Sequence, residues 1–205
     1  RGTVKNLKVH GFGYGIAHQH GDNVLIFNNT VTGAGDGILA YQGGRNITFS
    51  SNTVTGGNWN GISIWQGTFI NVTWEHNNIR NVNPLYFSSC GTIAGEANYN
   101  ITVVNDTRSN CSIGIRFISP VTDPTNIIFV NNTLNDNGDG ITFANPNVRV
   151  IGGTIRNSTR NSILLEAYTI SGYSFYPDNA TLENVTIVPL NDGGSPIAWG
   201  FNDQG

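Results

Sequence analysis

The sequence has few charged side chains and no long apolar run. Only 11% of its 205 residues are charged, and the formal net charge is −3. Proteins that bind nucleic acid usually carry a basic stripe, so this class of function is excluded. No stretch of about 18 apolar residues occurs, which excludes a membrane-spanning helix. Solubility must depend on asparagine, threonine, serine and glycine, a composition typical of secreted or cell-surface proteins. The N-terminus lacks a signal-peptide pattern, but a mature secreted chain would have lost its signal peptide.

An internal repeat extends along the whole chain, and residues 46–67 show it most clearly. Each unit opens on an asparagine that is followed one and three positions later by apolar residues, which share one face of a strand. A second apolar position follows at +8, behind a corner rich in asparagine and glycine. A third short strand then starts at a Gly-Ile pair or its equivalent. The opening asparagines are Asn6, Asn23, Asn46, Asn71, Asn100, Asn126, Asn147 and Asn179.

This pattern resembles the right-handed parallel β-helix superfamily, which includes the pectate-lyase-like proteins and the carbohydrate-binding and sugar-hydrolase type repeats. The resemblance covers the whole chain. It implies an all-β, single-stranded right-handed parallel β-helix, a solenoid of about eight coils with three short strands per coil. Residues 1–205 are then one domain, either a fragment or an uncapped stacking unit. The resemblance says little about function, because the fold hosts lyases, hydrolases, epimerases and structural proteins.

Some positions of the repeat are interpreted as structural. The corner residues at +6 predict a ladder of stacked amides, which stabilises the coils and is not a site. Arg108 stands at the apolar +8 position of the fifth coil, so a local shift of register is expected there. The ladder residues are Asn29, Asn52, Asn77, Asp106 and Asn132.

The state of the two cysteines, Cys90 and Cys111, stays open. An oxidising compartment favours a disulfide between them. In the simplest register they lie at opposite ends of neighbouring strands, farther apart than the Cα limit of about 7 Å for a disulfide. Only a loop over residues 88–99 that folds back would join them.

Three insertions are predicted directly after third strands, at residues 88–99, 119–125 and 168–178. Insertions on one side of a solenoid usually mark its functional face. On the outer face of the third strands, Tyr41 and Trp65 are expected to stack one above the other, with Gln42, Gln66 and Tyr86 nearby. Aromatic rings beside amides suit the binding of a carbohydrate. The alternative is an aromatic ladder that only covers the sheet.

Candidate catalytic residues are few. In the resembling family, lyases use a lysine or arginine base with carboxylates that hold calcium, whereas hydrolases use aspartate or glutamate pairs. Arg116, Glu166 and Asp123 are the weak candidates here, and Arg116 and Glu166 are expected about 10 Å apart. No cofactor is predicted, except calcium in the lyase case. No metal site is predicted at the histidines of the first coil either, because no carboxylate or thiolate accompanies them.

Many Asn-x-Ser/Thr sequons occur, and they predict a glycoprotein with its glycans on the surface. The repeat itself produces several of them. The candidate positions are Asn28, Asn46, Asn71, Asn100, Asn105, Asn110, Asn131, Asn157, Asn179 and Asn184.

Two functions are consistent with these residues. The leading hypothesis is a secreted or cell-surface structural protein, such as a surface-layer, sheath, adhesin or filament subunit, that binds carbohydrate or stacks end to end with copies of itself. The alternative is a polysaccharide lyase or glycoside hydrolase that acts in a groove on the outer face of the third strands.

Overall fold

A computed structural model describes residues 1–82, 88–118, 125–144, 146–170, 173–175, 177, 179–190 and 195–203. Every helix or strand within those residues is a β-strand. The strands are β1 (Gly2–Lys5), β2 (Lys8–His10), β3 (Tyr14–Gln19), β4 (Val24–Phe27), β5 (Thr30–Tyr41), β6 (Gly44–Ser50), β7 (Thr53–Trp65), β8 (Thr68–Glu75), β9 (Asn78–Val82), β10 (Ser89–Ala94), β11 (Ala97–Val104), β12 (Thr107–Ser109), β13 (Ile113–Phe117), β14 (Thr125–Val130), β15 (Thr133–Asn135), β16 (Asp139–Phe143), β17 (Val148–Ile151), β18 (Thr154–Arg156), β19 (Asn161–Ile170), β20 (Tyr173–Phe175), β21 (Thr181–Glu183), β22 (Thr186–Val188) and β23 (Ser195–Asp203).

The strands form two sheets along the solenoid axis. The first-strand sheet has the order β1-β4-β6-β8-β11-β14-β17-β21, and its pairs are parallel. The other sheet joins the remaining strands of each turn, because β5 and β7 pass through the corner between second and third strands without a break. We call its third-strand part, made of β3, the second halves of β5 and β7, β10, β13, β16, β19 and β23, the third-strand sheet. The predicted all-β parallel solenoid is confirmed.

About six turns have a closed, buried interior. Ile47, Phe49 and Ile64 are fully buried, as their spacing predicts, and one apolar cluster runs from Ile16 to Leu165. Other apolar residues of the first turn, such as Val4 and Val9, and those of the last turn, such as Leu182 and Ile187, are only partly buried against this cluster. The predicted number of coils, eight, is therefore slightly too high, because a terminal turn has a neighbour on only one side and does not close its interior.

The first coil has a different register from the one predicted. Its first strand is β1, in which Gly2 pairs with Val24, so Arg1 and not Asn6 occupies the opening position. Asn6 instead accepts a hydrogen bond from Nδ2 of Asn28, one corner later. The predicted inward residue Leu7 is accordingly 46% exposed. The error arose because the opening asparagine is missing from this coil.

The predicted insertion at residues 88–99 is also wrong. Residues 89–94 form β10, the third strand of the fourth coil, and Ile93 pairs with Ile64 and Phe117 on the inward face. The third strand predicted at residues 84–87 lies outside the described residues, as do residues 119–124 of the second predicted insertion. In the third insertion, β19 continues into an antiparallel hairpin with β20, where Tyr168 pairs with Phe175.

Cys90 and Cys111 form a disulfide, with their Cα atoms 5.7 Å apart. The corrected position of β10 explains the pairing. Cys90 lies near the start of β10, and Cys111 lies just before β13, its neighbour. Both cysteines are therefore at the same end of adjacent strands, and the loop that the simplest register seemed to require is unnecessary.

Two asparagine ladders organise the turns. The opening asparagines from Asn23 onward have left-handed backbone angles, with φ between 54° and 62°, which asparagine tolerates better than most residues. Their side chains also bond from coil to coil, as Asn46 Nδ2 donates to Asn23 Oδ1 at 3.1 Å. The predicted +6 ladder is buried, and Asn52 Nδ2 donates both to Asn77 Oδ1 and to the carbonyl oxygen of Ile26. These bonds satisfy backbone and side-chain groups that water cannot reach.

Arg108 causes no shift of register. It pairs normally with Ile79 and Leu134 and points into the core, where it is fully buried. Its guanidinium forms an ion pair of 2.6 Å with Asp106, the ladder residue two positions earlier, and lies 5.1 Å from the ring centre of Trp74. A charged side chain is therefore accepted at an apolar position because its counter-ion is part of the buried ladder.

Candidate functional site: the outer face of the third-strand sheet

A row of aromatic and amide side chains crosses the outer face near the ends of the third strands. Gln19, Tyr41 and Trp65 are in register on β3, β5 and β7. Trp65 is 43% exposed, and Tyr41 is half-buried. Gln19 Nε2 donates to Oε1 of Gln42 at 2.7 Å, which orders the amide beside the rings. The structure therefore brings together four of the predicted binding residues, counting the exposed Gln66 that follows Trp65. Tyr86 lies outside the described residues.

A second row, of polar residues, runs along the axis through the middle of the same face. Ser63, Thr92, Arg116 and Thr142 occupy equivalent positions on β7, β10, β13 and β16. Each is at most 9% exposed, although each points away from the core. The hydroxyl oxygens of Ser63 and Thr142 find no hydrogen-bond partner among the described residues. An unpaired buried hydroxyl is costly to the folded state, and at these two positions the hydroxyls are covered by the surrounding chain.

A buried hydrogen-bond network lies at the start of the third strands. Asn60 Nδ2 donates to Asp36 Oδ1 at 2.7 Å, and Asn60 Oδ1 accepts from the hydroxyls of Ser89 and Thr92. Burial raises the pKa of Asp36 above its ordinary value, and the hydrogen bonds from Asn60 partly oppose that shift. The carboxyl group is therefore held in place and is easier to protonate than an exposed aspartate.

An exposed aromatic pair that was not predicted from the sequence lies at this same end. The rings of Tyr14 and Trp59 have centroids 6.4 Å apart and an interplanar angle of 57°. They are 52% and 54% exposed. The available signal was a tryptophan in a corner otherwise made of glycine and asparagine, residues 56–61, where no core position needs a large ring.

The predicted catalytic residues do not form a catalytic pair. Arg116 is in register with Thr142 and Leu164, and Glu166 lies two residues beyond Leu164 on β19. Two strand spacings thus separate them by about 10 Å across the sheet, besides their offset along the strands. Both have interactions with other groups. Asp123 lies outside the described residues.

Other carboxylates of this face are also far apart. Asp36 and Asp139 begin equivalent strands four spacings apart, which corresponds to about 19 Å. Glycosidases place their two carboxyl groups within about 5–9.5 Å of each other. Asp36 and Asp139 therefore cannot act together on one glycosidic bond.

A small cleft lies at the corner between second and third strands. It has a volume of about 300 Å³ and is lined by Asn110, Ser112, Asp136 and Arg160, among others. Arg160 donates to Asp139 Oδ2 at 2.7 Å and to the carbonyl oxygen of Ser112 at 2.9 Å. These bonds tie the lining of the cleft to the start of β16.

The first-coil histidines lie apart from this face's polar network. His10 Nδ1 is 2.8 Å from Thr32 Oγ1, and His18 Nε2 is 3.3 Å from the carbonyl oxygen of Gly21. No group of three potential metal ligands occurs in the part of the chain that the structure describes. Within the same residues, no helix has the length and apolar character needed to cross a membrane.

All the sequon asparagines share one backbone conformation. Each has a left-handed backbone, with φ between 50° and 56°. Several also donate their amide hydrogens within a ladder, as Asn71 does to Asn46 at 3.0 Å. The sequons thus coincide with positions that the fold needs for turning the chain, and glycosylation stays a prediction.

Comparison with known proteins supports the same fold. The catalytic unit of a thermostable GH87 alpha-1,3-glucanase from Streptomyces thermodiastaticus strain HF3-3 superimposes with a TM-score of 0.59 at 16% identity, covering 99% of this chain and 48% of the glucanase. A GH87 alpha-1,3-glucanase catalytic domain in complex with tetrasaccharides gives a TM-score of 0.54 at 15% identity, covering 97% and 48%. The family model described as "Right handed beta helix region" matches residues 1–72. The chain is a right-handed parallel β-helix.

The β-helix spans about half the length of these glucanase chains. At such low identity the likeness concerns the fold alone. A search of the curated proteins finds no match.

Proposed function

We propose that this β-helix is a carbohydrate-active protein and that a polysaccharide binds on the outer face of its third-strand sheet. The observation that carries the proposal is the row of Gln19, Tyr41 and Trp65, in which an exposed indole stands beside ordered amides. A sugar ring packs on the indole, and the amides bond its hydroxyls.

The two GH87 alpha-1,3-glucanases have the same fold, so insoluble α-1,3-glucan is the first polysaccharide to test.

The binding test measures retention on α-1,3-glucan, β-1,3-glucan, cellulose and polygalacturonate. We expect Trp65→Ala to weaken binding to the retained polysaccharide at least about tenfold, because a central tryptophan usually dominates such a contact. Phe27→Ala is the matched control, since Phe27 is 37% exposed but belongs to the first-strand sheet. Equal retention of the Trp65→Ala variant and the wild type, with both folded by circular dichroism, would contradict the proposal.

Cleavage is the second candidate function, favoured by the glucanase fold. Among the described residues, the half-buried Glu166 and the buried Arg116 are the groups proposed to take part. New reducing ends would indicate hydrolysis, and unsaturated uronate absorbance that requires calcium would indicate a lyase. Activity that survives both Glu166→Gln and Arg116→Ala would remove these residues from the reaction.

The structural role, secretion and end-to-end stacking stay predictions. Light scattering over a wide range of concentration tests stacking, and elongated assemblies would favour a filament subunit. Intact mass before and after deglycosylation tests the sequons.

A further inference from the structure

The Tyr14–Trp59 pair lies on the same three strands as the Tyr41–Trp65 row, at their opposite ends. Tyr14 is in register with Asp36 and Asn60, the residues that begin the third strands of the next two turns. Tyr41 is five positions after Asp36, which corresponds to about 16 Å along the strand. The outer face of β3, β5 and β7 therefore carries an aromatic pair at each end.

The backbone holds the Trp59 ring on this surface. A side chain at Gly35 would place its Cβ 3.4 Å from Cε3 of Trp59, so the ring rests over a position without a side chain. Gly35 is itself anchored, because its backbone nitrogen donates to the carbonyl oxygen of Phe12 at 3.0 Å. The inclined rings of Tyr14 and Trp59 each keep about half of their surface open to solvent.

The groups between the two pairs offer little charge. Asp36, Asn60 and Ser63 lie on this path, and Asp36 is the ionisable group among them. A uronate chain would need arginine or lysine partners for its carboxylates, and an aspartate on the path repels it. A neutral sugar chain needs only hydroxyl partners and flat rings.

We infer that Tyr14 and Trp59 form a second sugar subsite, and that one neutral oligosaccharide extends along the strands from this pair to Tyr41 and Trp65. This inference rests on the proposed function of the third-strand sheet. The separation of about 16 Å is longer than a disaccharide, so the second subsite acts only on longer chains.

The test is calorimetric titration with neutral glucose oligomers, linked α-1,3, β-1,3 or β-1,4, as disaccharides and as hexasaccharides. The wild type should bind the hexasaccharide of its preferred linkage more tightly than the disaccharide. Trp59→Ala should lower hexasaccharide affinity about tenfold and leave disaccharide affinity unchanged, whereas Trp65→Ala should lower both. Trp59→Phe keeps a ring and should retain most of the hexasaccharide affinity.

The possible outcomes separate the two claims. Wild-type hexasaccharide affinity in Trp59→Ala, together with weaker binding by Trp65→Ala, overturns the second subsite and leaves the proposed face intact. Binding that neither variant affects overturns both the subsite and the face. Tighter binding of a galacturonate hexasaccharide than of every neutral oligomer overturns the neutral class, and the absence of binding to all probes contradicts both claims.

Discussion

At the scale of single residues, two buried carboxylates have different partners and different consequences. Asp36 lies at the outer face and receives hydrogen bonds from the neutral Asn60. Asp106 lies inside the solenoid and faces the guanidinium of Arg108. Burial disfavours the charge of both, but only Asp106 has an opposite charge in contact with it.

Asp36 predicts a pH dependence of stability. Its pKa is raised above the ordinary 3.8 in the folded chain, so the stabilising contribution is present below pH 3.8 and is lost as the pH rises through the folded-state pKa. Asp36→Asn cannot ionise and should therefore melt at a higher temperature than the wild type at pH 7. The difference in melting temperature between the variant and the wild type should shrink toward pH 4. Thermal melts across this pH range check this prediction, and a constant difference would mean that ionisation of Asp36 is irrelevant to stability.

The ion pair of Asp106 with Arg108 predicts a large loss of stability when it is broken. Asp106→Ala leaves the Arg108 guanidinium buried without its counter-ion, so the free energy of unfolding should fall by about 3–5 kcal/mol. The double variant Asp106→Asn with Arg108→Leu copies the sixth coil, where Asn132 and Leu134 stand at these positions. It should recover most of the loss.

Chemical denaturation measures the free energy of unfolding of Asp106→Ala and of the double variant. Gly91 limits the recovery, because it stands where neighbouring turns have Ile62 and Ile115, and the Arg108 guanidinium occupies that space. A small cavity therefore remains in the double variant. If the double variant were as unstable as Asp106→Ala, the ion pair would stabilise the fold by more than the neutralisation of its two charges.

At the scale of elements, glycine sets how closely one turn lies on the next. Gly37 and Gly61 are the second residues of the third strands in the second and third turns. A Cβ on Gly61 would lie 2.5 Å from the carbonyl oxygen of Cys90, which belongs to the next turn and cannot move away without breaking the ladder. The Gly-Ile pair that marked third strands in the sequence thus reflects a backbone contact between turns.

Gly61→Ala should destabilise the chain by about 1–3 kcal/mol, because an extra methyl in a close-packed contact forces the backbones apart. Gly2→Ala is the matched control, since nothing lies within 4 Å of its Cβ position. Denaturant midpoints compare the two. An unchanged midpoint for Gly61→Ala would mean that the turns can separate at little cost.

At the scale of the whole molecule, the axial repeat was predictable where each turn obeys the same local rules. Asn46, Ile47 and Phe49 show the reason. The left-handed backbone of Asn46 and the inward direction of Ile47 and Phe49 depend on residues that are close together in the sequence. The prediction was wrong in the first coil, where Arg1 replaces the asparagine, and in the fourth, where extra residues precede β10. Local patterns cannot show which of two candidate segments pairs with the turn below.

The candidate site was predictable only in part for a related reason. Tyr41 and Trp65 were found because they occupy equivalent positions of regular coils. Tyr14 and Trp59 belong to different positions of their units, and only the fold places their rings 6.4 Å apart. The same holds for Asp36, Asn60 and Thr92, which share one network through bonds between turns.

The sequence alone determined the class of fold, because alternating inward residues and asparagine corners specify a strand and a turn through short-range sterics and hydrophobic burial. Only the tertiary structure determined that Cys90 and Cys111 form a disulfide, that the Arg108 side chain points into the core, and that aromatic residues group on one face. Those features depend on the register between turns. That register is set by contacts between residues about 20 to 30 positions apart, so it cannot be obtained from any one unit of the repeat.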